Sequence, residues 1–84
     1  MQVEKRALHL LNTMKNGIKP EQKEMDLESF GEALHFLDSN NLATGITVNR
    51  SGEGKEIIGY SIEDEYSVTV AGYEFLEKNA GQEG

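Results

Sequence analysis

At Asn40-Asn41 the spacing of apolar residues in this 84-residue chain changes from three-and-four to alternate, and that break limits what the chain can fold into. Before it, Val3, Ala7, Leu10, Leu11 and Met14, then Leu27, Phe30, Ala33, Leu34 and Leu37, recur as one face of a helix presents them. After it, Leu42, Thr44, Ile46 and Val48 alternate with Ala43, Gly45, Thr47 and Asn49, the pattern of a half-buried strand. Amphipathic helices followed by strands must bury their apolar sides against each other. The fold class is therefore α+β.

Local signals mark the elements. The spacing predicts a first helix over Val3–Lys15, ended by Asn16-Gly17, residues that tolerate left-handed backbone. Ile18-Lys19-Pro20 cannot continue it, because proline pushes the preceding residue towards extended conformations. A short helix is expected over Pro20–Met25, with the proline at its first position. Asp26 caps the next helix, Leu27–Ser39, and Asn40-Asn41 provides its exit.

A turn at Arg50–Lys55 links the first strand to a second, Glu56–Ile62, with Ile58, Tyr60 and Ile62 on one face and Ile57 on the other. Glu63-Asp64-Glu65 reads as a solvated loop, followed by a brief extended stretch at Tyr66-Ser67-Val68. Thr69 caps a last helix, Val70–Lys78, whose expected inward stripe is Val70, Tyr73 and Leu76. Residues 1–79 form one expected domain, and residues 80–84, with nothing to bury, a disordered tail. The order helix, short helix, helix, hairpin, helix is a winged-helix layout: a three-helix core with a β-hairpin wing and a C-terminal helix.

The closing run Val68-Thr69-Val70-Ala71-Gly72-Tyr73-Glu74-Phe75-Leu76-Glu77-Lys78-Asn79 resembles an ending found in small winged-helix proteins. That ending reads hydrophobic-Thr-x-x-Gly-x-x-[aromatic or apolar]-Leu-Glu-x-Asn. The stretch Asp26–Leu42, a helix followed by Asn-Asn-Leu and a strand, fits the same group, and the chain is similar to the YjcQ-like family of Gram-positive bacteria and their phages. The family pattern often has leucine where Val68 stands and a more polar residue where Val70 stands. The resemblance implies a winged-helix fold and carries no catalytic residues across.

With no cysteine in the chain, disulfides and thiolate metal sites are excluded. Nothing near the start reads as a signal peptide and no stretch approaches about 20 apolar residues, so a cytoplasmic protein without membrane contact is expected. His9 and His35 are the only histidines, too few for a metal site of three or four converging ligands. Glu63-Asp64-Glu65 lacks the alternating oxygens and glycine of a calcium loop, and Gly52-Glu53-Gly54 is a turn rather than a phosphate loop. No nucleophile has a recognisable base beside it. A non-enzyme without cofactor, metal or small-molecule substrate is expected.

Charge separates the two remaining classes of function. The net charge of −7 is uneven, with residues 1–24 carrying five basic and three acidic side chains and residues 25–84 carrying three and twelve. Such a surface repels phosphate over most of its area. The outward face of the Leu27–Ser39 helix presents Glu28, Glu32, His35, Phe36 and Ser39, with no Arg, Lys, Asn or Gln for base readout. Phe36, and Phe75 on the last helix, fall off their apolar stripes. Glu28, Glu32, His35, Phe36 and Phe75 are therefore the candidate contact surface for a protein partner or a second copy of the chain. The alternative is a transcription-regulator-like DNA binder reading mainly with its wing, through Arg50 and Lys55 at the hairpin tip and Lys19 and Lys23 nearby. DNA is possible on that reading but not favoured. An acidic surface imitating DNA is a variant of the first.

Overall fold

The computed structural model describes residues 2–22, 25–52 and 56–79. Three helices and one antiparallel hairpin follow in the order α1 (Gln2–Lys15), α2 (Leu27–Ser39), β1 (Ala43–Arg50), β2 (Ile57–Val68) and α3 (Val70–Lys78). The core lies where α1 and α2 pack together under the hairpin, and its largest fully buried side chains are Leu11, Phe30, Leu34 and Leu37. From α1 come Ala7, Leu8, Leu10, Leu11 and Met14; Val3 is only half-buried.

Both long helices end as their sequences direct. Gly17 (φ +79°) follows α1, with Ile18 N–H donating to the Thr13 carbonyl (3.1 Å) and Gly17 N–H to that of Met14 (3.0 Å). Asn41 (φ +57°) does the same for α2, with Leu42 N–H on the Leu37 carbonyl (2.9 Å) and Asn41 N–H on that of Asp38 (3.1 Å). These paired bonds satisfy carbonyls that a helix end otherwise leaves open. Because the turn after α2 is fixed in this way, Leu42 is buried and β1 starts at a set angle.

At the N-terminus of α2, the Asp26 carboxylate accepts from Ser29 N–H (3.0 Å) and from the Ser29 hydroxyl (2.9 Å). Those bonds, the backbone one foremost, hold the Asp26 carboxyl below its ordinary pKa, and the positive charge of Arg6 adds a little. A carboxyl depressed in the folded state contributes stability above the unfolded value of about 3.9, and the contribution is lost as pH falls through the folded value. Asp26→Asn keeps a capping oxygen but cannot titrate. In melting series run from neutral to acid, the wild type is expected to lose more melting temperature than the variant; parallel losses would show that another group dominates.

Of the expected short helix over Pro20–Met25, the described residues 20–22 and 25 are not helical, and residues 23–24 lie outside the described residues. Residues 18–22 have no regular structure and Met25 sits in a bend. Pro20 is buried, the Met25 N–H reaches the Gln22 carbonyl (3.0 Å), and the Gln22 side-chain amide reaches the Met25 carbonyl (2.9 Å). Fewer than two turns of helix cannot offset the cost of nucleation, so a buried proline and one turn prevail.

Two irregularities in the hairpin overturn the strict alternation expected of it. Ala43 and Thr44 pair with Val68 and Ser67, whereas Ile46 pairs with Ile62, so Gly45 alone faces residues 63–66. Gly45 has φ +80°, and a Cβ there would come within 2.9 Å of the Tyr66 backbone. The segment Glu63–Glu65, expected as a loop, is thus a wide bulge inside one continuous strand. The second irregularity leaves Ile58 unpaired between Ile57 (opposite Arg50) and Gly59 (opposite Asn49). It turns Ile57 inward over Gly31 and Ile58 outward, while Tyr60 and Ile62, expected on one face with Ile58, pack against the core. The first bulge likewise puts Ala43 inside and Thr44 outside.

α3 is rotated from the expected stripe: Leu76 faces the core as expected, but Val70 and Tyr73 do not. Gly72 and Leu76 are buried and Phe75 packs beside them, while Val70 and Tyr73 are 75% and 50% exposed. The Thr69 hydroxyl oxygen accepts from Gly72 N–H (3.0 Å) while the hydroxyl donates to the Asn41 carbonyl (2.6 Å), and Thr69 N–H donates to the Leu42 carbonyl (3.1 Å). One side chain caps α3 and ties it to the turn after α2. That tie sets the rotation of the helix.

Candidate interaction surfaces

The outward face of α2 carries the expected acidic character. Glu28, Glu32, His35 and Ser39 are exposed, opposite the buried row Phe30, Ala33, Leu34 and Leu37. The face is not free of cations, however. The Arg50 guanidinium reaches across from the end of β1 and binds the Glu32 carboxylate at 2.8 Å, with both side chains partly exposed. A second pair joins the segment before α2 to the hairpin bulge: Lys19 Nζ donates to Asp64 at 2.9 Å. The Lys19 hydrogen bond, and then its charge, hold the Asp64 carboxyl below its usual value.

These pairs alter both candidate sets. Of the proposed phosphate-binding cations, Arg50 and Lys19 each lie on a carboxylate, while Lys23 and Lys55 fall outside the described residues. Exposed pairs of this kind are weak, so a phosphate has the strength to displace them. A phosphate on Arg50, however, lies beside the Glu32 carboxylate, and like charges at a separation of about 5 Å repel by about 1–3 kcal/mol, which offsets much of the new contact. Neither pair has a sequence signal, since the partners stand 18 and 45 positions apart.

Phe36 and Phe75 lie off their stripes for a packing reason. Their rings meet each other at 5.9 Å with an interplanar angle of 50°, and both are half-buried against the core. They join α2 to α3 rather than standing apart as two exposed anchors. Among the described residues the exposed large apolar side chains are instead Ile18, Ile58, Val70 and Tyr73. In the sequence Val70 and Tyr73 fall on an expected inward stripe and Ile58 on a strand face with Tyr60 and Ile62, while no pattern marks Ile18.

Elsewhere, an open cleft of about 270 Å³ runs between α1 and the following segment, lined by His9, Leu10, Ile18, Lys19, Pro20 and Met25 among others. Among the described residues no three His, Asp or Glu side chains converge on a point that would hold a metal ion. No described helix is long and apolar enough to cross a membrane. Compared with protein-family models, with curated proteins and with solved structures, the chain has no match.

Proposed function

We propose that the chain is a non-enzymatic, cytoplasmic winged-helix module of the YjcQ-like kind, acting as a regulatory adaptor through protein contacts. In this reading α2 occupies the place of a recognition helix and β1–β2 form the wing. The family-like ending supports it, because its threonine, glycine and asparagine each have a mechanical task. Thr69 caps α3, Gly72 lets α3 approach Leu42, and the Asn79 amide donates to the Phe75 carbonyl at 2.8 Å to close the helix.

The observation that carries the protein-contact reading is the Arg50–Glu32 pair. The one described arginine of the hairpin tip lies against the acidic face that a DNA-reading helix would have to present to phosphate. Glu28 and Glu32 can only accept, from the amino groups of cytosine or adenine, and have no donor for guanine or for phosphate; His35 alone is a weak reader.

Fluorescence anisotropy with a labelled mixed-sequence duplex at low ionic strength tests this. Even a non-specific DNA binder has a dissociation constant of about 1–100 μM at physiological salt, and tighter below it. The module is expected to bind more weakly than about 100 μM even at low salt. Micromolar binding that Arg50→Gln removes would return the wing-reading alternative to first place.

A further inference from the structure

We propose that the outward face of α3 is a docking site for a cationic, amphipathic segment of a partner protein. The inference takes the protein-contact reading as its premise and assigns it a second surface, separate from the outer face of α2.

The rotation of α3 makes this face. Gly72, Phe75 and Leu76 point inward, so at about 100° per residue the opposite side holds Val70, Tyr73, Glu74 and Glu77 within an arc of roughly 100°. All four are exposed. Among the described residues the exposed large apolar side chains are Ile18, Ile58, Val70 and Tyr73, and only the last two share a helix face. Single exposed apolar residues are ordinary. Two at one-turn spacing, interleaved with two carboxylates, form a patch with a definite complement. At its margin Glu74, Glu77 and Lys78 line a shallow hollow.

Charge and area decide what fits. Nucleic acid and anionic lipid are repelled by Glu74 and Glu77. A second copy brings the same two carboxylates and a net charge of −7, and a two-fold contact would set like against like. Nor do two side chains approach the roughly 800 Å² per partner that a stable dimer buries. A segment pairing an apolar residue with arginine or lysine meets each condition. Its apolar side chain covers Val70, and its cation lies over the Tyr73 ring and against Glu74 or Glu77.

The test titrates the full isotope-labelled chain with a synthetic amphipathic peptide of leucine and arginine. Two comparison peptides carry serine for leucine and glutamate for arginine. Amide shifts are expected to cluster on residues 69–78 with the first peptide and to be absent with the other two. Val70→Ser with Tyr73→Ser should weaken binding about tenfold or more, as should Glu74→Gln with Glu77→Gln, while Tyr73→Phe keeps it. The glutamine pair alters no packing, so the test survives even if the serine pair unfolds. Glu28→Gln with Glu32→Gln should change nothing; if that pair weakens binding as much, the α3 site is wrong while the protein-contact reading stands. Shifts spread over the whole acidic surface, equal binding of the serine peptide, or no binding at all would overturn the proposal. So would a concentration-dependent mass by light scattering that Tyr73→Ser abolishes. Micromolar duplex binding lost in Arg50→Gln would instead remove the premise.

Discussion

Gly72→Ala is expected to lower the unfolding free energy by about 3 kcal/mol, although alanine in a helix ordinarily gains about 1 kcal/mol over glycine. The sign reverses because of what lies above position 72. A Cβ there would fall on the Leu42 carbonyl oxygen and within 2.7 Å of the Val68 side chain. The oxygen is not a flexible tip that can swing away. It belongs to the turn after α2 and already accepts from Thr69 N–H at 3.1 Å. To admit a methyl group α3 must lift, which costs about 1–3 kcal/mol as overpacking. Lifting also weakens the Thr69 bonds to Leu42 and Asn41, at roughly 1 kcal/mol each. A domain of this size has a margin of about 4–13 kcal/mol, so the loss is a large share of it. Urea unfolding followed by circular dichroism should show a lower midpoint with unchanged slope. Thr69→Val is expected to cost less alone and to be less than additive with Gly72→Ala, because both loosen one joint. A stabilised Gly72→Ala variant would mean that the joint between α3 and Leu42 is open.

That joint also shows where the sequence was legible. Helix ends could be read because their chemistry is local: Asp26 and Thr69 as caps, Gly17 and Asn41 as left-handed exits, each acting within a few residues. The inward side of α2 could be read because large apolar residues mark it. The inward side of α3 could be read only at Leu76. It centres on a glycine that packs by having no side chain, so the hydrophobic pattern there is nearly silent. Val70 and Tyr73 supplied a helix-like period that belongs to the solvent side. The hairpin failed for a related reason. Alternation presumes one residue opposite one, and the bulges at Gly45 and Ile58 break that count with no marker except a glycine.

The candidate site was legible in composition and not in pairing. That α2 shows solvent an acidic side follows from its own period, and the structure keeps Glu28, Glu32 and His35 exposed. Which cation lies against that side is a tertiary fact. Arg50 arrives there because β1 runs back along α2, and Lys19 meets Asp64 because the bulge swings the acidic run outward. Residues assigned from sequence to two rival functions are thereby in contact with each other.

Phe30→Ala should cost about 4 kcal/mol and Phe36→Ala only about 1–2 kcal/mol, though both phenylalanines stand on α2. Phe30 is fully buried, and its ring lies 4.8 Å from that of Tyr60 at 57°. Its removal leaves a cavity bounded by helix and hairpin that neither layer can close, and forfeits an aromatic pair worth about 0.5–1.5 kcal/mol. Phe36 is half-buried and its contact is Phe75, so truncation exposes a margin that water can fill. The double variant Phe36→Ala, Phe75→Ala should lose less than the sum of the singles, by about 0.5–1.5 kcal/mol, since either change already breaks the ring contact. Thermal unfolding of the four variants measures all of these differences together. Additive losses at Phe36 and Phe75, or none, would mean the two rings do not hold α2 and α3 together, and both would then be available to a partner. Coupled losses mean that the aromatic residues which looked spare in the sequence are engaged in packing, leaving the carboxylates of α2 and the Val70–Tyr73 side of α3 as the surfaces open to one.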